Sequence, residues 1–536
     1  MTNFFCKKNT FCLLPILALI TVVSTNCSKP SSEENKYISL YKGLSFEMPL
    51  LERPVFKGNK VYLNECGGVS DGKTLNTEAF EKAMSRLSEK GGGTLVVPNG
   101  IWLTGPIVFR SDINLHLEQG ALILFSSDYN LYPLIKTVYE GAETYRCQSP
   151  ISGHNLENIA ITGKGAINGW GEAWRPLKKY KVTEAYWDDV VKSGGKLKDP
   201  NLWYPSKKAL KGDSIMANNL QETLDEEGWQ SIKDYLRPVM VNFVECKNVL
   251  LEDVLFENSP SWNIHPLMCE NLIIDNIKVR NPAYAQNGDG VDIESCKNVI
   301  VIDCSFDVGD DAICIKSGKG DSGRRRARPT ENVIIANCRV FNGHGGFVVG
   351  SEMSGGVKNV SVSDCQFMGT DVGLRFKSAR GRGGVVENIY IRNINMLNIV
   401  NEPLSFDLYY FTRRTDSVPS ADETTPVFKN IHINGVIAKN ADKAMYFSGL
   451  PEMNISDINI ENVIISSRLG AQLSDVRNVF FKNVEIYATE GSALLLNDVK
   501  NIEVSDFKHS SSRKEIVKIS GDKSENILLP QNLQSQ

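Results

Sequence analysis

Four short segments between Asn287 and Lys377 carry the residues best suited to chemistry. They read NGDGVDIE from Asn287, VGDDAICIKSG from Val308, NGHGGFVVG from Asn342 and GLRFKS from Gly373. Each segment is a polar or glycine-rich turn that runs into a short apolar stretch, which is how a chain enters a buried strand. Aspartates, a histidine and an Arg-x-Lys pair therefore occur at similar positions in successive segments.

Carboxylates that lie close together beside cations suit acid–base hydrolysis. If Asp289, Asp310 and Asp311 lie together, they cannot all ionise freely, so at least one should keep its proton near neutral pH. Glycoside hydrolysis needs one acid to protonate the leaving oxygen and another carboxylate to activate water or attack carbon. Arg375 and Lys377, two positions apart on a strand, would share a face and bind an anionic substrate. The alternative is a calcium site or a solvated acidic turn, but the four segments together favour catalysis.

An internal repeat is expected to position these segments. After Val239, the phrase Asn, apolar, any, apolar recurs every 21 to 42 residues from Asn248 to Asn501, with Asp457 once in place of Asn. The strict alternation predicts stacked β-coils and excludes helical repeats. The residues six positions after each reference residue are all apolar and predict the interior column of a parallel β-helix: Val254, Ile277, Cys304, Cys338, Cys365, Ile394, Val436, Val463, Val484 and Phe507.

Cysteines within this column are expected to be packing residues. Cys304, Cys338 and Cys365 occupy positions that other coils fill with Val or Ile, so we predict that they act as small hydrophobic side chains. Their spacing matches no compact zinc pattern. Three more cysteines, each two residues before the reference position of its coil, should stack in the same way: Cys246, Cys269 and Cys296. The sequence therefore predicts no metal and no cofactor.

The first half of the chain departs from the repeat. Residues Asn76 to Lys90 have helical spacing and end at Gly91-Gly92-Gly93, which predicts a helix that caps the open end of the coil stack. Residues 126–236 are rich in Trp, Tyr and Lys and read as a long loop-rich insertion. Such insertions are usually functional or disordered, and the aromatic content argues against disorder. We predict one catalytic domain over 46–530, with 531–536 as a tail.

The N-terminus predicts export. Lys7 and Lys8 precede an apolar run from Phe11 to Val23, and Cys27 follows a small-residue site, as in a bacterial lipoprotein signal over 1–27. An ordinary cleaved signal with an incidental cysteine is the alternative. Residues 28–45 read as a polar linker. We therefore expect a periplasmic or outer-membrane-anchored protein whose membrane contact runs only through a lipid at Cys27, while a net charge of -4 argues against nucleic-acid binding.

The series NGD, GDD, GHG and RFK closely resembles the four signature blocks of glycoside hydrolase family 28, the polygalacturonases. Those blocks usually read Asn-Thr-Asp, Gly-Asp-Asp, Gly-His-Gly and Arg-Ile-Lys, and the resemblance extends from about Val61 to Asn501. It implies an all-β fold, a single-stranded right-handed parallel β-helix of the pectin-lyase-like type. It also implies hydrolysis of α-1,4-galacturonosyl bonds of pectin with inversion. Gly288, Ala312 and Phe376 depart from the family pattern, but none of them removes a titrating group.

The resemblance implies roles for the titrating residues. Asp310 is expected to be the general acid, and Asp289 and Asp311 are expected to activate water. His344 is similar to the histidine that tunes the protonation of the acid.

It also implies a set of substrate-binding residues. Arg375 and Lys377 should hold the galacturonate carboxylate, and the family's later active-site tyrosine is expected at Tyr410 in SFDLYYF, with the adjacent Tyr409 as the alternative. Because His344, Arg375 and Lys377 are all present, we expect galacturonic acid in the central subsite.

Several alternatives stay open at this point. We expect the insertion to close one end of the cleft and make the enzyme exo-acting. Other readings are a rhamnogalacturonan or xylogalacturonan hydrolase, a pectate lyase, or a non-catalytic carbohydrate-binding β-helix. The arginine-rich loop over 316–332 is either a further acidic-sugar subsite or a solvated loop. We expect a monomer that acts on pectic polysaccharide or oligogalacturonide.

Overall fold

The computed structural model describes residues 35–415, 417–510 and 516–533. The signal segment 1–27 with Cys27, and residues 28–34 of the expected linker, lie outside the described residues, so export and lipidation stay predictions. Within the described ranges, no helix is long and apolar enough to cross a membrane.

The chain winds into a right-handed parallel β-helix with three stacks of strands. Each coil contributes a strand to the first, second and third stack in turn, and each strand pairs in parallel with its equivalents in the neighbouring coils. The sequence-based fold prediction is thus confirmed.

The first stack contains Lys60–Tyr62, Gly93–Val97, Ile113–Leu117, Glu157–Gly163, Lys247–Glu252, Glu270–Asp275, Lys297–Ile302, Thr330–Ala336 and Val357–Ser363. The second contains Gly100–Thr104, Ala121–Phe125, Ala166–Asn168, Leu255–Glu257, Lys278–Arg280, Ser305–Asp307, Arg339–Asn342 and Gln366–Met368. The third contains Ile107–Val108, Ile151–His154, Val241–Val244, Ile264–Leu267, Val291–Glu294, Asp311–Lys316, Gly345–Gly350, Val372–Lys377, Leu404–Asp407 and Val517–Ser520. Toward the C-terminus, long strands bend from one stack into the next: Val385–Ile399, Val427–Ser448, Ile455–Ser474 and Val476–Asn497, followed by Lys500–His509 and Glu525–Leu528.

The asparagine at the start of each repeat forms a ladder along the helix axis. Asn298 adopts a left-handed conformation with φ of 58°. Its Nδ2 donates to Oδ1 of Asn271 at 3.1 Å, and its own Oδ1 accepts from Asn332 at 3.1 Å. Asparagine tolerates this conformation better than other residues with a Cβ. The ladder runs from Asn158 to Asn430 and resumes from Asp457 to Asn526. The sequence showed the repeat of Asn but not the reason for it.

The predicted interior column is confirmed. All ten residues, from Val254 to Phe507, are at most 3% exposed and belong to one continuous core. The cysteines of the described ranges are buried and form no disulfide, as expected for packing residues.

The N-terminal end of the core is covered by helix α1, Thr77–Glu89. Its apolar face, which includes Phe80, Ala83 and Leu87, is buried in the same core. The predicted capping helix is therefore confirmed.

The predicted insertion over 126–236 needs a correction, because it contains part of the β-helix. Strands Ile151–His154, Glu157–Gly163 and Ala166–Asn168 form a regular coil between neighbouring coils. The signal was present at Asn158-Ile159-Ala160-Ile161, but the surrounding aromatic and lysine residues masked the alternation.

Two smaller units leave the coil stack within this region. One is the antiparallel hairpin Leu134–Tyr139 with Ala142–Cys147. The other is a subdomain in which a sheet of Leu177–Lys178, Lys196–Asp199 and Leu202–Tyr204 lies with helices α2, Glu184–Lys192, α3, Lys207–Ala217, and α4, Glu226–Ser231. A fifth helix, α5, Gly320–Arg326, follows a third-stack strand.

The expected linker over 28–45 is also corrected. Tyr37 is buried, and with Leu51 it packs on the outer face of the first stack, against side chains such as Ile273. The Tyr37 hydroxyl and Lys36 Nζ both bind the buried carboxylate of Asp275, at 2.8 and 2.6 Å. Contacts with strands more than 200 residues away order this segment, and local composition does not report such contacts.

The expected tail over 531–536 is corrected in part. Leu533 lies in the short turn Gln531–Leu533 and is buried in the main core. The core therefore extends beyond the predicted boundary at residue 530.

We expect Asn298→Ala to destabilise the β-helix by about 2–4 kcal/mol. The change removes two ladder hydrogen bonds and leaves alanine in a left-handed conformation. Asn298→Gly is the matched control, because it loses the same bonds but relieves the backbone strain, so it should cost about half as much. Thermal unfolding followed by circular dichroism measures both, and equal losses in the two variants would contradict the role assigned to the backbone conformation.

Candidate active site

The third stack brings the three predicted aspartates together. Asp289 precedes strand Val291–Glu294, and Asp310 and Asp311 stand where the strand of the next coil begins. One carboxylate oxygen from each aspartate lies within 4.8 Å of the others. A Cβ at Gly290 would lie 2.3 Å from the carbonyl oxygen of Ala312, so glycine is needed for the two turns to approach this closely.

His344 lies on the following coil and is bound to Asp310. Its backbone N–H donates to the carbonyl oxygen of Asp310 at 2.8 Å, and its Nδ1 lies 3.0 Å from Oδ1 of the same residue. The hydrogen bond with Asp310 raises the pKa of His344. The predicted proximity of the histidine and this aspartate is thus confirmed.

Arg375 and Lys377 lie one coil further along the axis and pair with Asp311. Lys377 Nζ donates to Asp311 Oδ2 at 2.6 Å, and Arg375 Nη1 donates to Oδ1 at 3.4 Å. Burial opposes the charge on Asp311, but Lys377 and Arg375 outweigh it and hold the pKa of that carboxyl well below its ordinary value. The two cations face the aspartates as predicted, and both of them pair with Asp311.

The structure separates the two candidate tyrosines. The ring of Tyr410 lies 5.0 Å from Lys377 Nζ and 5.7 Å from the Arg375 guanidinium. Tyr409 is nearly buried and packs between Arg380 and Arg414, away from the cluster. Tyr410 is therefore the tyrosine beside the candidate site.

The pKa values of Asp289 and Asp311 are shifted in opposite directions. Burial, reinforced by the negative charges of Asp292 and Asp310, raises the pKa of Asp289 well above its ordinary value. Asp289 Oδ1 is buried and has no hydrogen-bond partner, which is consistent with this shift. The pKa of Asp289 is therefore raised and that of Asp311 lowered, so Asp289 holds a proton to higher pH than Asp311 does.

The sequence profile of glycosyl hydrolases family 28 matches residues 209–485, just over half of the chain and all four segments of the site. The chain belongs to glycosyl hydrolase family 28. The family resemblance drawn from the four segments is confirmed, and the protein is a glycoside hydrolase.

Individual relatives extend the similarity over most of the chain. A probable polygalacturonase of Vitis vinifera is 29% identical over 475 residues, which cover 87% of this chain and 83% of the relative. An exo-poly-alpha-D-galacturonosidase of Dickeya chrysanthemi is 27% identical, over 83% of this chain and 74% of the relative. The crystal structure of an exopolygalacturonase from Thermotoga maritima matches with a TM-score of 0.67 and 32% identity, over 81% of this chain and 93% of that chain.

A second layer of charged residues lies beside the aspartates of this family 28 enzyme. Asp292 is fully buried, and Lys316 Nζ lies 3.5 Å from its Oδ1 and 2.9 Å from Oε2 of Glu352. Burial raises the pKa of Asp292 to about 8, whereas the pKa of Glu352, despite its burial, is lowered to about 2 by Lys316. Sequence reasoning missed these residues, although charged side chains at alternate positions of a buried strand, as in Val291-Asp292-Ile293-Glu294, were a usable signal.

The arginine-rich loop supports the site from outside. Arg326 Nη1 binds Glu294 at 2.6 Å, and Glu294 also meets His265 Nε2 at 2.9 Å. Arg324 donates to the carbonyl oxygens of Gly381 and Arg382, and Arg328 donates to that of Met268. The guanidinium groups of these three arginines therefore bind a carboxylate and backbone carbonyl oxygens of the protein itself. This favours a structural role for the loop over a further sugar subsite.

Arg237, which directly follows the insertion, contacts the catalytic turn. Its guanidinium donates to the carbonyl oxygens of Pro260 and Gln286 and to Oδ1 of Asn287, at 2.8–3.0 Å. A cavity of about 260 Å³ lies between the subdomain and this turn, and its lining includes Lys178, Tyr204, Arg237 and Asn287. The subdomain thus borders the site.

We expect Asp292→Asn to stabilise the protein at alkaline pH. The pKa of Asp292 is about 8 in the folded state and about 3.9 when unfolded, so the folded state binds more protons between these values. Its contribution to stability is therefore fully present below pH 4 and falls as the pH rises toward 8. Removing the carboxyl should raise Tm by roughly a few degrees at pH 8 and change it little at pH 4.

Differential scanning calorimetry across this range provides the test. Asp188→Asn, on an exposed position of α2, is the matched control, because it removes one carboxyl from the surface and none from the interior. A constant difference between Asp292→Asn and the wild type from pH 4 to pH 8 would contradict the burial argument.

Proposed function

We propose that this enzyme is a polygalacturonase that hydrolyses α-1,4-galacturonosyl bonds of pectin from one chain end. The observation that carries the proposal is the cluster of Asp289, Asp310 and Asp311 bordered by Arg375 and Lys377 on neighbouring coils. An acidic cluster performs the hydrolysis, and adjacent cations select a substrate that carries carboxylates. The names of the Dickeya and Thermotoga relatives support both the substrate and the exo-acting mode.

In the proposed reaction, Asp310 gives its proton to the glycosidic oxygen as the bond from that oxygen to the anomeric carbon breaks. A water molecule held by Asp289 and Asp311 forms the new bond to the anomeric carbon and loses a proton to Asp311, the member of the pair whose pKa is lowered. The hydrogen bond with His344 orients the carboxyl of Asp310. Positioned acid–base catalysis of this kind typically contributes 10²–10⁴-fold to the rate.

Arg375 and Lys377 are proposed to bind the carboxylate of the sugar in the central subsite. Both are largely buried, and their pairing with Asp311 holds them in place before substrate arrives. Pre-positioned cations lose little conformational freedom on binding. Tyr410, whose ring lies against both, would border the same sugar.

The inverting course of the reaction rests on the family resemblance. Inverting glycosidases usually separate their two carboxyl groups by about 6.5–9.5 Å to admit water. Here the nearest carboxylate oxygens lie within 4.8 Å. The anomeric configuration of the first product therefore tests the inverting course.

The exo-acting mode is supported by the elements that leave the coil stack. The subdomain of α2 to α4 shares the lining of a cavity with the catalytic turn, and the tip of the hairpin at Gly141 accepts a hydrogen bond from the backbone of Lys319 at 3.1 Å. Elements at these positions would close a cleft that is open in a bare β-helix. Such a closure restricts the site to chain ends.

We expect Asp310→Asn to lower kcat on polygalacturonate by about 10³-fold or more, because an amide cannot protonate the leaving oxygen. KM and Tm should change little, since the amide keeps the size of the side chain. Release of reducing ends measures the loss, and Asp321→Asn, exposed on α5, is the control. Full activity of Asp310→Asn would contradict the assigned role. An unsaturated product that absorbs in the ultraviolet and disappears with a chelator would instead indicate a lyase.

We expect galacturonate oligomers to be shortened from one end, with a single small product from the first turnover onward. Mass spectrometry of early time points on polygalacturonan, rhamnogalacturonan and xylogalacturonan provides the comparison. Proton NMR of the first product reports the anomeric configuration, which inversion reverses. A broad early distribution of fragments on polygalacturonan would contradict the exo-acting mode, and preferred cleavage of either other polymer would contradict the substrate.

A further inference from the structure

Phe411 is an exposed aromatic residue beside the candidate site. It follows strand Leu404–Asp407 of the third stack in the turn that carries Tyr410, and it is 89% exposed. Large apolar side chains gain free energy from burial, and this one has almost none. Its position therefore does not serve the core.

The backbone of Phe411 is also strained. Its φ is 59°, in the left-handed region that residues with a Cβ rarely adopt. The turn is held in this form because Thr412 N donates to the carbonyl oxygen of Tyr409 at 2.7 Å. Residues with strained backbones cluster at active sites and ligand-binding sites. The combination of strain and exposure points to a ligand.

The ring of Phe411 lies next to that of Tyr410. Its centroid lies 4.0 Å from that of Tyr410, with the planes tilted by 40°. Tyr410 in turn lies 5.0 Å from Lys377 Nζ, and Lys377 binds Asp311. A continuous path of contacts thus joins the exposed ring to the cations that face the aspartates.

We propose that Phe411 is a stacking platform for the galacturonate residue next to the one whose carboxylate meets Arg375 and Lys377. A pyranose ring has an apolar face of C–H groups that packs on a flat aromatic ring, while its carboxylate needs a cation. Lys377 and Arg375 supply the cations. Phe411 supplies the aromatic ring at an adjacent position. This inference rests on the proposed polygalacturonase function and adds a second sugar-binding subsite to it.

The test measures binding separately from turnover. In the Asp310→Asn background, isothermal titration calorimetry with trigalacturonate gives Kd without hydrolysis. We expect Phe411→Ala to weaken binding about tenfold, as for the loss of an aromatic contact with its buried area. Phe411→Trp should retain the affinity, whereas Phe411→Leu, which keeps apolar bulk without a flat ring, should lose it. Tm should not fall in any of these variants, because the side chain is exposed.

Phe480→Ala is the matched control. Phe480 is a partly exposed aromatic residue in strand Val476–Asn497, in a segment that pairs with the first stack and not with the third. Its replacement should leave Kd unchanged.

Each outcome separates this inference from the function on which it rests. An unchanged Kd in Phe411→Ala, with binding by the parent protein intact, overturns the platform and leaves the proposed function standing. Retained affinity in Phe411→Leu overturns stacking in favour of simple apolar contact. Failure of the parent to bind trigalacturonate, together with failure of the wild type to hydrolyse it, overturns both proposals.

Discussion

Parallel hydrogen bonding between consecutive coils holds the whole site in register. Neighbouring strands of such a sheet lie about 4.8 Å apart, so residues at equivalent positions of successive coils must meet. Asp289, Asp311 and Arg375 come from three different coils and share one small volume because their strands pair in the third stack. The asparagine ladder along the first stack reinforces that register. A slip of one residue would turn each of these side chains to the other face of its strand.

The same register forces charges into a buried region, and pairing makes them tolerable. Burial of an isolated charge is costly, whereas a paired and hydrogen-bonded charge persists. Lys377 with Asp311 and Lys316 with Glu352 are such pairs. Asp289 and Asp292 have oxygens without hydrogen-bond partners, and their pKa values rise accordingly. The site therefore places carboxyls with raised and with lowered pKa values within a few ångströms of one another, and acid–base hydrolysis uses such differences.

Elements outside the coil stack adapt this general scaffold. The stack alone gives a long open surface, since every coil resembles the next. Three elements modify that surface near the aspartates. They are the subdomain beside Arg237, the hairpin at Gly141, and the turn that carries Tyr410 and Phe411. In this enzyme, the coils carry the candidate catalytic residues, and the proposed function assigns the approach of the substrate chain to the added elements.

The sequence by itself determined the β-helix, its interior column and the cluster of aspartates with His344, Arg375 and Lys377. These follow from the alternation of side chains within each strand and from a repeat that is visible in the sequence over ten coils. Only the tertiary structure decided that Tyr410 and not Tyr409 borders the site, that Asp311 pairs with Lys377, and that a coil lies hidden within 126–236. Those outcomes depend on contacts between residues far apart in the chain, and on burial that raises or lowers a pKa, and neither is expressed in local residue patterns.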